Sequence, residues 1–208
     1  MKKRHSRKAD ARNRARVRSA TNNAVFLVGF MGAGKTSVGR ALGQRLNWIF
    51  EDLDDRIERR EGRTVAEIFR DSGEAGFRRA EHSALRQVLE ELSGGVARIV
   101  ALGGGAFVQQ RNAALLKAAG VPAVFLDAPV EELWQRCSRQ AGAAGTERPL
   151  LGSRDQFRGL YQARRQSYIR ASLKIETAGH TVEAIAAEIA EKLGLKKVGM
   201  RSEKGESE

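Results

Sequence analysis

The sequence predicts an α/β fold, a parallel β-sheet sandwiched by helices, and three observations predict it. Short apolar runs alternate with amphipathic helical patterns along most of the chain. The runs are rich in Val, Ile, Leu and Phe, as expected of strands covered on both faces. The first run leads straight into a glycine-rich loop and then a helix.

Strands are expected at Ala24–Gly29, Trp48–Glu51, Arg98–Leu102, Ala123–Asp127 and Leu173–Thr177. A helix over Thr36–Leu46 follows the first. Asp54–Arg60 and Thr64–Asp71 follow the second, and Thr64 and Glu67 have capping-box spacing. Phe77–Leu92 reads as a longer amphipathic helix. Pro129 stands where a first helical turn begins, and that helix runs to about Arg139. Val182–Leu193 is the last. Gly142–Gln156 breaks the alternation. It is rich in glycine and carries Arg148 before Pro149, the composition of a mobile lid.

Composition sets bounds around this core. The 208 residues suffice for one domain. No stretch reaches the ~20 apolar residues of a membrane span. No signal peptide is expected, because the N-terminal segment is basic and lacks an apolar centre. Cys137 is the only cysteine, which excludes an intramolecular disulfide and suits the cytoplasm. The net charge is +12, and Met1–Asn22 holds nine Lys/Arg against one acid, Asp10. Residues 1–22 are therefore expected to be a disordered tail. It is compatible with a solvated start, a weak nucleic-acid contact or a short transit peptide. The folded domain is expected over residues 23–195, followed by a frayed polar tail over 196–208.

Gly29-Phe30-Met31-Gly32-Ala33-Gly34-Lys35-Thr36 fits G-x-x-x-x-G-K-[ST] at every fixed position. Glycines let successive N–H groups turn inward around a phosphate chain, and the following helix start adds partial positive charge. Gly32, Ala33, Gly34, Lys35, Thr36 and Ser37 are thus nucleotide-binding candidates. Lys35 can reach the β and γ phosphates, and the Thr36 hydroxyl can ligate Mg²⁺. The fold is then of the P-loop NTP hydrolase type, with a substrate-binding segment over about 52–92 and a lid over about 140–156.

The acceptor side must come from other segments. Asp52 and Asp54 are two apart, so on a strand they would share a face beside the crevice. One can hold Mg²⁺ through water and the other can accept a hydrogen bond from an attacking hydroxyl. A plainer role, Asp54 or Asp55 as a helix N-cap, stays open. Gly103, Gly104 and Gly105 suit the close approach of a small ligand. Arg78, Arg148, Arg164 and Arg165 can pair carboxylates or neutralise a phosphoryl group.

GFMGAGKTSVGRALG, FEDLDDRIERREGRTVAEIFRDSGEAGFRRAE, IVALGGGAF, ERPLL and RRQSY occur in the order seen in shikimate kinases, which the chain resembles from about Val25 to Leu193. The resemblance implies phosphorylation of the 3-hydroxyl of shikimate by MgATP, a step of chorismate and aromatic amino acid biosynthesis. It implies Lys35 as the phosphate lysine, Thr36 and Asp52 at the metal, and Asp54 on the ring hydroxyls, assisting deprotonation. Arg78 and Arg164 match the pair that clamps the carboxylate, and Gly104 with Gly105 the backbone contact beside the ring. Arg148 matches the lid arginine, and Arg136 the arginine near adenine. Phe77 lines the pocket or belongs to the core. Two departures stand out. The family's R-x-P-L-Y reads Arg164-Arg165-Gln166-Ser167-Tyr168 here, which makes Arg165 a competitor for Arg164. The lid is longer and rich in alanine.

Two rival readings remain at this stage. One is another small-molecule kinase, acting on gluconate or a nucleoside monophosphate. The Asp-x-Asp pair with GGG favours a polyhydroxylated acid over a nucleotide. The other is a ligand-sensing protein, for which Met1–Asn22 is too short and too polar to be a helix-turn-helix. A monomer is the default expectation.

Overall fold

The computed structural model describes residues 23–144 and 153–198. The expected basic tail 1–22, residues 145–152 with Arg148, and residues 199–208 lie outside the described residues. Strands β1 (Ala24–Val28), β2 (Ile49–Asp52), β3 (Arg98–Ala101), β4 (Ala123–Asp127) and β5 (Leu173–Glu176) form one sheet in the order β2-β3-β1-β4-β5. Every pairing is parallel. Among the described residues seven α-helices flank it: α1 (Lys35–Leu46), α2 (Leu53–Glu61), α3 (Val65–Glu91), α4 (Gln110–Ala119), α5 (Val130–Ala144), α6 (Arg154–Tyr168) and α7 (Val182–Lys192).

β1 and β4 are buried along their whole length, as the unbroken apolar runs require. The expectation that all five strands are covered on both faces fails at the edges. β2 is half open, with Ile49 51% exposed, and β5 buries only Ile175 among its four residues. Phe26, Leu27, Leu42, Ile57, Leu85 and Phe125 fill the centre of the core. Truncating such a phenylalanine to alanine costs about 3–5 kcal/mol.

The helix boundaries follow local chemistry. Thr64 Oγ1 accepts from the Glu67 N–H at 3.2 Å and Glu67 Oε2 accepts from the Thr64 N–H at 2.7 Å, so the predicted capping box starts α3. The two helices expected on either side of residues 72–76 are one helix kinked at Gly73, whose φ of 65° and ψ of 179° are not helical. Arg78 therefore lies one turn past the kink rather than at a helix start. α4 and α6 are not among the predicted helices. α6 occupies Arg154–Gln156, the last residues of the expected lid, and α5 runs on to Ala144. Lys196–Val198, expected to fray, pass along the end of α1, where the Val198 N–H donates to the Leu46 carbonyl at 2.9 Å.

Strand order places the reversal at β1, between β3 and β4. The loops after β1, β2 and β3 consequently open into one crevice at the carboxyl ends of the strands. Asp52 and Asp54 stand where β2 gives way to α2, and Gly103–Gly105 follow β3, so these residues border the crevice.

Candidate active site

The loop after β1 wraps as the glycines demand. Gly32 has φ 79°, and a Cβ there would stand 2.8 Å from the Leu133 carbonyl oxygen and 2.9 Å from Cys137 Sγ. Both the backbone turn and the space exclude a side chain. Gly34 caps α1 in the left-handed region. Lys35 Nζ folds back to donate to the Gly29 and Phe30 carbonyls at 2.9 and 3.0 Å. Burial lowers its pKa, and the charges of Asp54 and Asp52 oppose that shift. Ser37 is exposed in the first turn of α1. Arg136 reaches the loop from α5, donating to the Gly32 carbonyl at 3.4 Å and to the Thr177 carbonyl at 3.2 Å.

Asp52 and Asp54 do not share a strand face. Asp52 ends β2 and caps α2, accepting from the Asp54 N–H at 3.1 Å through Oδ1, while Asp54 lies in the first turn of α2. The N-cap is thus Asp52, not Asp54 or Asp55. Its other oxygen accepts from the Thr36 hydroxyl at 3.1 Å, and burial raises its pKa. Thr36 and Asp52 present hard oxygen donors side by side. Among the described residues no cluster of three or more His, Cys, Asp or Glu could hold a metal ion. This donor set fits a cation that arrives with phosphate oxygens and is completed by them, the habit of Mg²⁺.

Asp54 sits where its charged form is disfavoured. Burial, reinforced by the Asp52 charge and opposed by Lys35, pushes its pKa up to about 6. Its Oδ1 is buried without a hydrogen-bond partner among the described residues. A hydroxyl donor in the crevice would satisfy that atom.

The three glycines after β3 explain one another. A Cβ on Gly103 would stand 2.7 Å from Asp54 Oδ1, and one on Gly104 3.5 Å from Arg164 Nη1. One on Gly105 would stand 2.4 Å from Arg78 Nη2. Three consecutive positions thus face, in order, the carboxylate and the two guanidinium groups that sequence reasoning singled out from three separate segments. The Gly29 carbonyl lies 3.9 Å from the same Gly104 position, so the phosphate loop borders the glycines.

Arg78 is held by carboxylates. Nη1 donates to Glu81 Oε1 at 3.0 Å and Nη2 to Glu74 Oε1 at 3.1 Å. Glu81 is fully buried, and that burial, opposed by Arg78, pushes its pKa up to about 7. Phe77 belongs to the core, tilted against Phe69 at 4.6 Å with the Arg78 guanidinium 5.2 Å from its ring. Arg164 projects from α6 over the Phe30 ring at 5.9 Å. Tyr168, one turn further along α6, donates its hydroxyl to the Gly104 carbonyl. Burial raises its pKa to about 12 against the pull of Arg164. Arg165 turns the other way, to Asp127 at 2.8 Å. Sequence reasoning gave no role to Glu81 or Tyr168. The signal for Glu81 was its i,i+3 spacing from Arg78.

Comparison with known proteins gives the family of the chain. A family model described as shikimate kinase matches residues 31–194. A shikimate kinase of Cereibacter sphaeroides is 38% identical over 190 residues, covering 90% of each chain. One of Geobacter sulfurreducens is 42% identical over 170 residues, covering 80% of this chain and 88% of that one. The solved structure of the Acinetobacter baumannii shikimate kinase in complex with shikimate superposes with a TM-score of 0.73. It is 36% identical, and the match covers 84% of this chain and 94% of that one.

Proposed function

This chain belongs to the shikimate kinase family, and from that premise we propose that it transfers the γ-phosphoryl group of ATP to the 3-hydroxyl of shikimate, a step of aromatic amino acid biosynthesis. The observation that carries the assignment to this site is the alignment of Gly103, Gly104 and Gly105 with Asp54, Arg164 and Arg78. A polyhydroxylated ring acid needs that set: two guanidinium groups for its carboxylate, a carboxylate for its hydroxyls, and bare backbone for its face.

Arg78 and Arg164 hold the carboxylate of shikimate, and Glu81 and Glu74 keep Arg78 from swinging away. Asp54 Oδ1 accepts from a ring hydroxyl and orients the 3-oxygen for in-line attack. Lys35 leaves its two carbonyl partners for the β and γ phosphates, and backbone N–H groups of Gly32–Ser37 wrap the chain. Arg136 lies beside the loop for the adenine end. Thr36 and Asp52 would hold Mg²⁺, which when bound screens the phosphate charges. Arg148 keeps the role given by resemblance, towards the transferring phosphate, with residues 140–156 as the lid. Asp54 takes the proton of the 3-hydroxyl as the new O–P bond forms.

We assign the catalytic unit to residues 23–195, acting as a monomer in the cytoplasm. Among the described residues no helix is long and apolar enough to cross a membrane. The direct test is Arg78→Ala. Its dissociation constant for shikimate should rise at least tenfold, with that for ATP within twofold of the parent. Equal weakening of both would remove the carboxylate clamp from the account.

A further inference from the structure

The cluster that turns Arg165 away from the crevice has no part in the chemistry above. Asp127, the last residue of β4, is 3% exposed. Its Oδ2 accepts from Arg165 Nη2 at 2.8 Å and from Lys174 Nζ, on β5, at 3.0 Å. Its Oδ1 accepts from the Tyr161 hydroxyl at 3.1 Å, and Arg165 Nε donates to that same hydroxyl oxygen at 3.0 Å. The three groups close a ring between α6 and the end of β4. Tyr161 and Arg165 are one turn apart on α6, as are Arg164 and Tyr168. The first pair faces β4. The second faces Gly104, through the Tyr168 hydroxyl and the Arg164 guanidinium.

We propose that Arg165 is a positioning residue: by locking onto Asp127 and Tyr161 it sets the rotation of α6 about its axis, and thereby aims Arg164 at the substrate carboxylate. The proposal rests on the functional reading above. Its physical basis is lever length. A helix with side chains has a radius of about 5–6 Å, so a rotation of about 10° moves a side-chain tip about 1 Å. A misplacement of that size is worth on the order of 10²-fold in a positioned reaction. Arg164 lies over an aromatic ring at 5.9 Å and beside the Tyr168 hydroxyl of its own helix, and among the described residues no buried carboxylate holds it as Glu81 holds Arg78, so its aim depends on the helix that carries it.

The test uses the full chain and steady-state kinetics with thermal unfolding, for the parent, Arg165→Met, Arg165→Lys, Arg164→Ala and the Arg164→Ala/Arg165→Met double variant. Arg165→Met should raise the shikimate KM about tenfold and leave the ATP KM within twofold, and Arg165→Lys should recover most of the loss. In the Arg164→Ala background the same replacement should add less than twofold, because the residue acts through Arg164. An unchanged shikimate KM in Arg165→Met overturns the proposal, as does a parallel rise in both KM values. A full tenfold effect in the Arg164→Ala background would mean that Arg165 touches the carboxylate itself. Should Arg165→Met fail to fold, Tyr161→Phe breaks the same ring while keeping the packing, and is judged by the same criteria. A parent enzyme without shikimate-stimulated ADP release defeats the functional reading, and the inference with it. A stimulated parent with an indifferent Arg165→Met defeats the inference alone.

Discussion

Gly105→Ala probes the substrate clamp with a single methyl group. The added Cβ would lie 2.4, 2.5 and 2.7 Å from Arg78 Nη2, Nη1 and Cζ. Ordinary carbon contacts begin near 3.4 Å, so the guanidinium must retreat by about 1 Å. Gly105 has no positive φ, so the backbone accepts alanine, and the obstacle is the far end of a flexible side chain. The fold should therefore hold, with less than about 1 kcal/mol lost. The site should not. Arg78 can retreat only by straining its bond to the buried Glu81 or by turning towards Glu74 at the surface, and either takes a charge-assisted bond from the substrate carboxylate. Such bonds are worth about 1.5–3 kcal/mol, which is roughly a 10- to 100-fold rise in the shikimate KM. The assay is ADP release at saturating ATP with shikimate varied, beside a thermal melt and an ATP titration. Gly104→Ala supplies the contrast, since its Cβ meets only ordinary contacts at 3.5 Å and beyond, and the unliganded protein should melt as the parent does. A normal shikimate KM in Gly105→Ala would refute the placement of Arg78 against the substrate. Equal rises in both KM values with a large fall in melting temperature would refute the claim that the clash is local.

Other outcomes follow from the same geometry. Lys35→Ala should cut turnover by at least 10²-fold while the fold survives, because the loop glycines are intact; near-normal turnover would sink the phosphate-loop assignment. Thr36→Val removes a hydroxyl from the donor pair with Asp52 and should raise the Mg²⁺ concentration needed for half-maximal rate several-fold, read by metal titration. Asp54, with its pKa pushed up to about 6, should make kcat/KM for shikimate fall as pH drops through 6 and the carboxylate takes a proton; a profile flat down to pH 5 would contradict its role as acceptor. Glu81 gives a stability signature. Its pKa is raised to about 7 in the folded state, so the folded chain binds the proton more tightly than the unfolded one. Stability should thus decline as pH rises from about 4.5 to 7 and level off above, by on the order of 3 kcal/mol from this group. Glu81→Gln should flatten that slope in pH-dependent melts and also raise the shikimate KM.

Much of the site is readable because each motif carries its own local chemistry. A strand, four residues, Gly-Lys-Thr and a helix leave little freedom, and the capping-box spacing of Thr64 and Glu67 marked a helix start correctly. Less was legible where tertiary context decides. α6 is hidden in the sequence because the residues before it are rich in glycine and resemble a loop. Yet Ser153 and Gln156 form a capping box of the same kind, and Phe157, Tyr161 and Tyr168 fall on one helical face. α4 has Gln109 at its N-cap, which makes no side-chain cap, and its clearest mark is Gly120 just past its end, with φ 67°. Asp52 and Asp54 have the spacing of a strand pair, but the strand ends at Asp52 and the helix begins at once. Which of Arg164 and Arg165 enters the crevice is undecidable from sequence, because neighbours on a helix point about 100° apart and it takes the contacts with Asp127 and Gly104 to show which way α6 is turned.

The central claim is that this crevice binds shikimate as phosphoryl acceptor. The most direct measurement is ADP release from MgATP by the purified chain, with and without shikimate, and with gluconate and nucleoside monophosphates as comparison acceptors. The account predicts strong stimulation by shikimate alone and a product carrying phosphate on the 3-oxygen. Binding of shikimate without turnover, or stimulation by another acceptor instead, would contradict it.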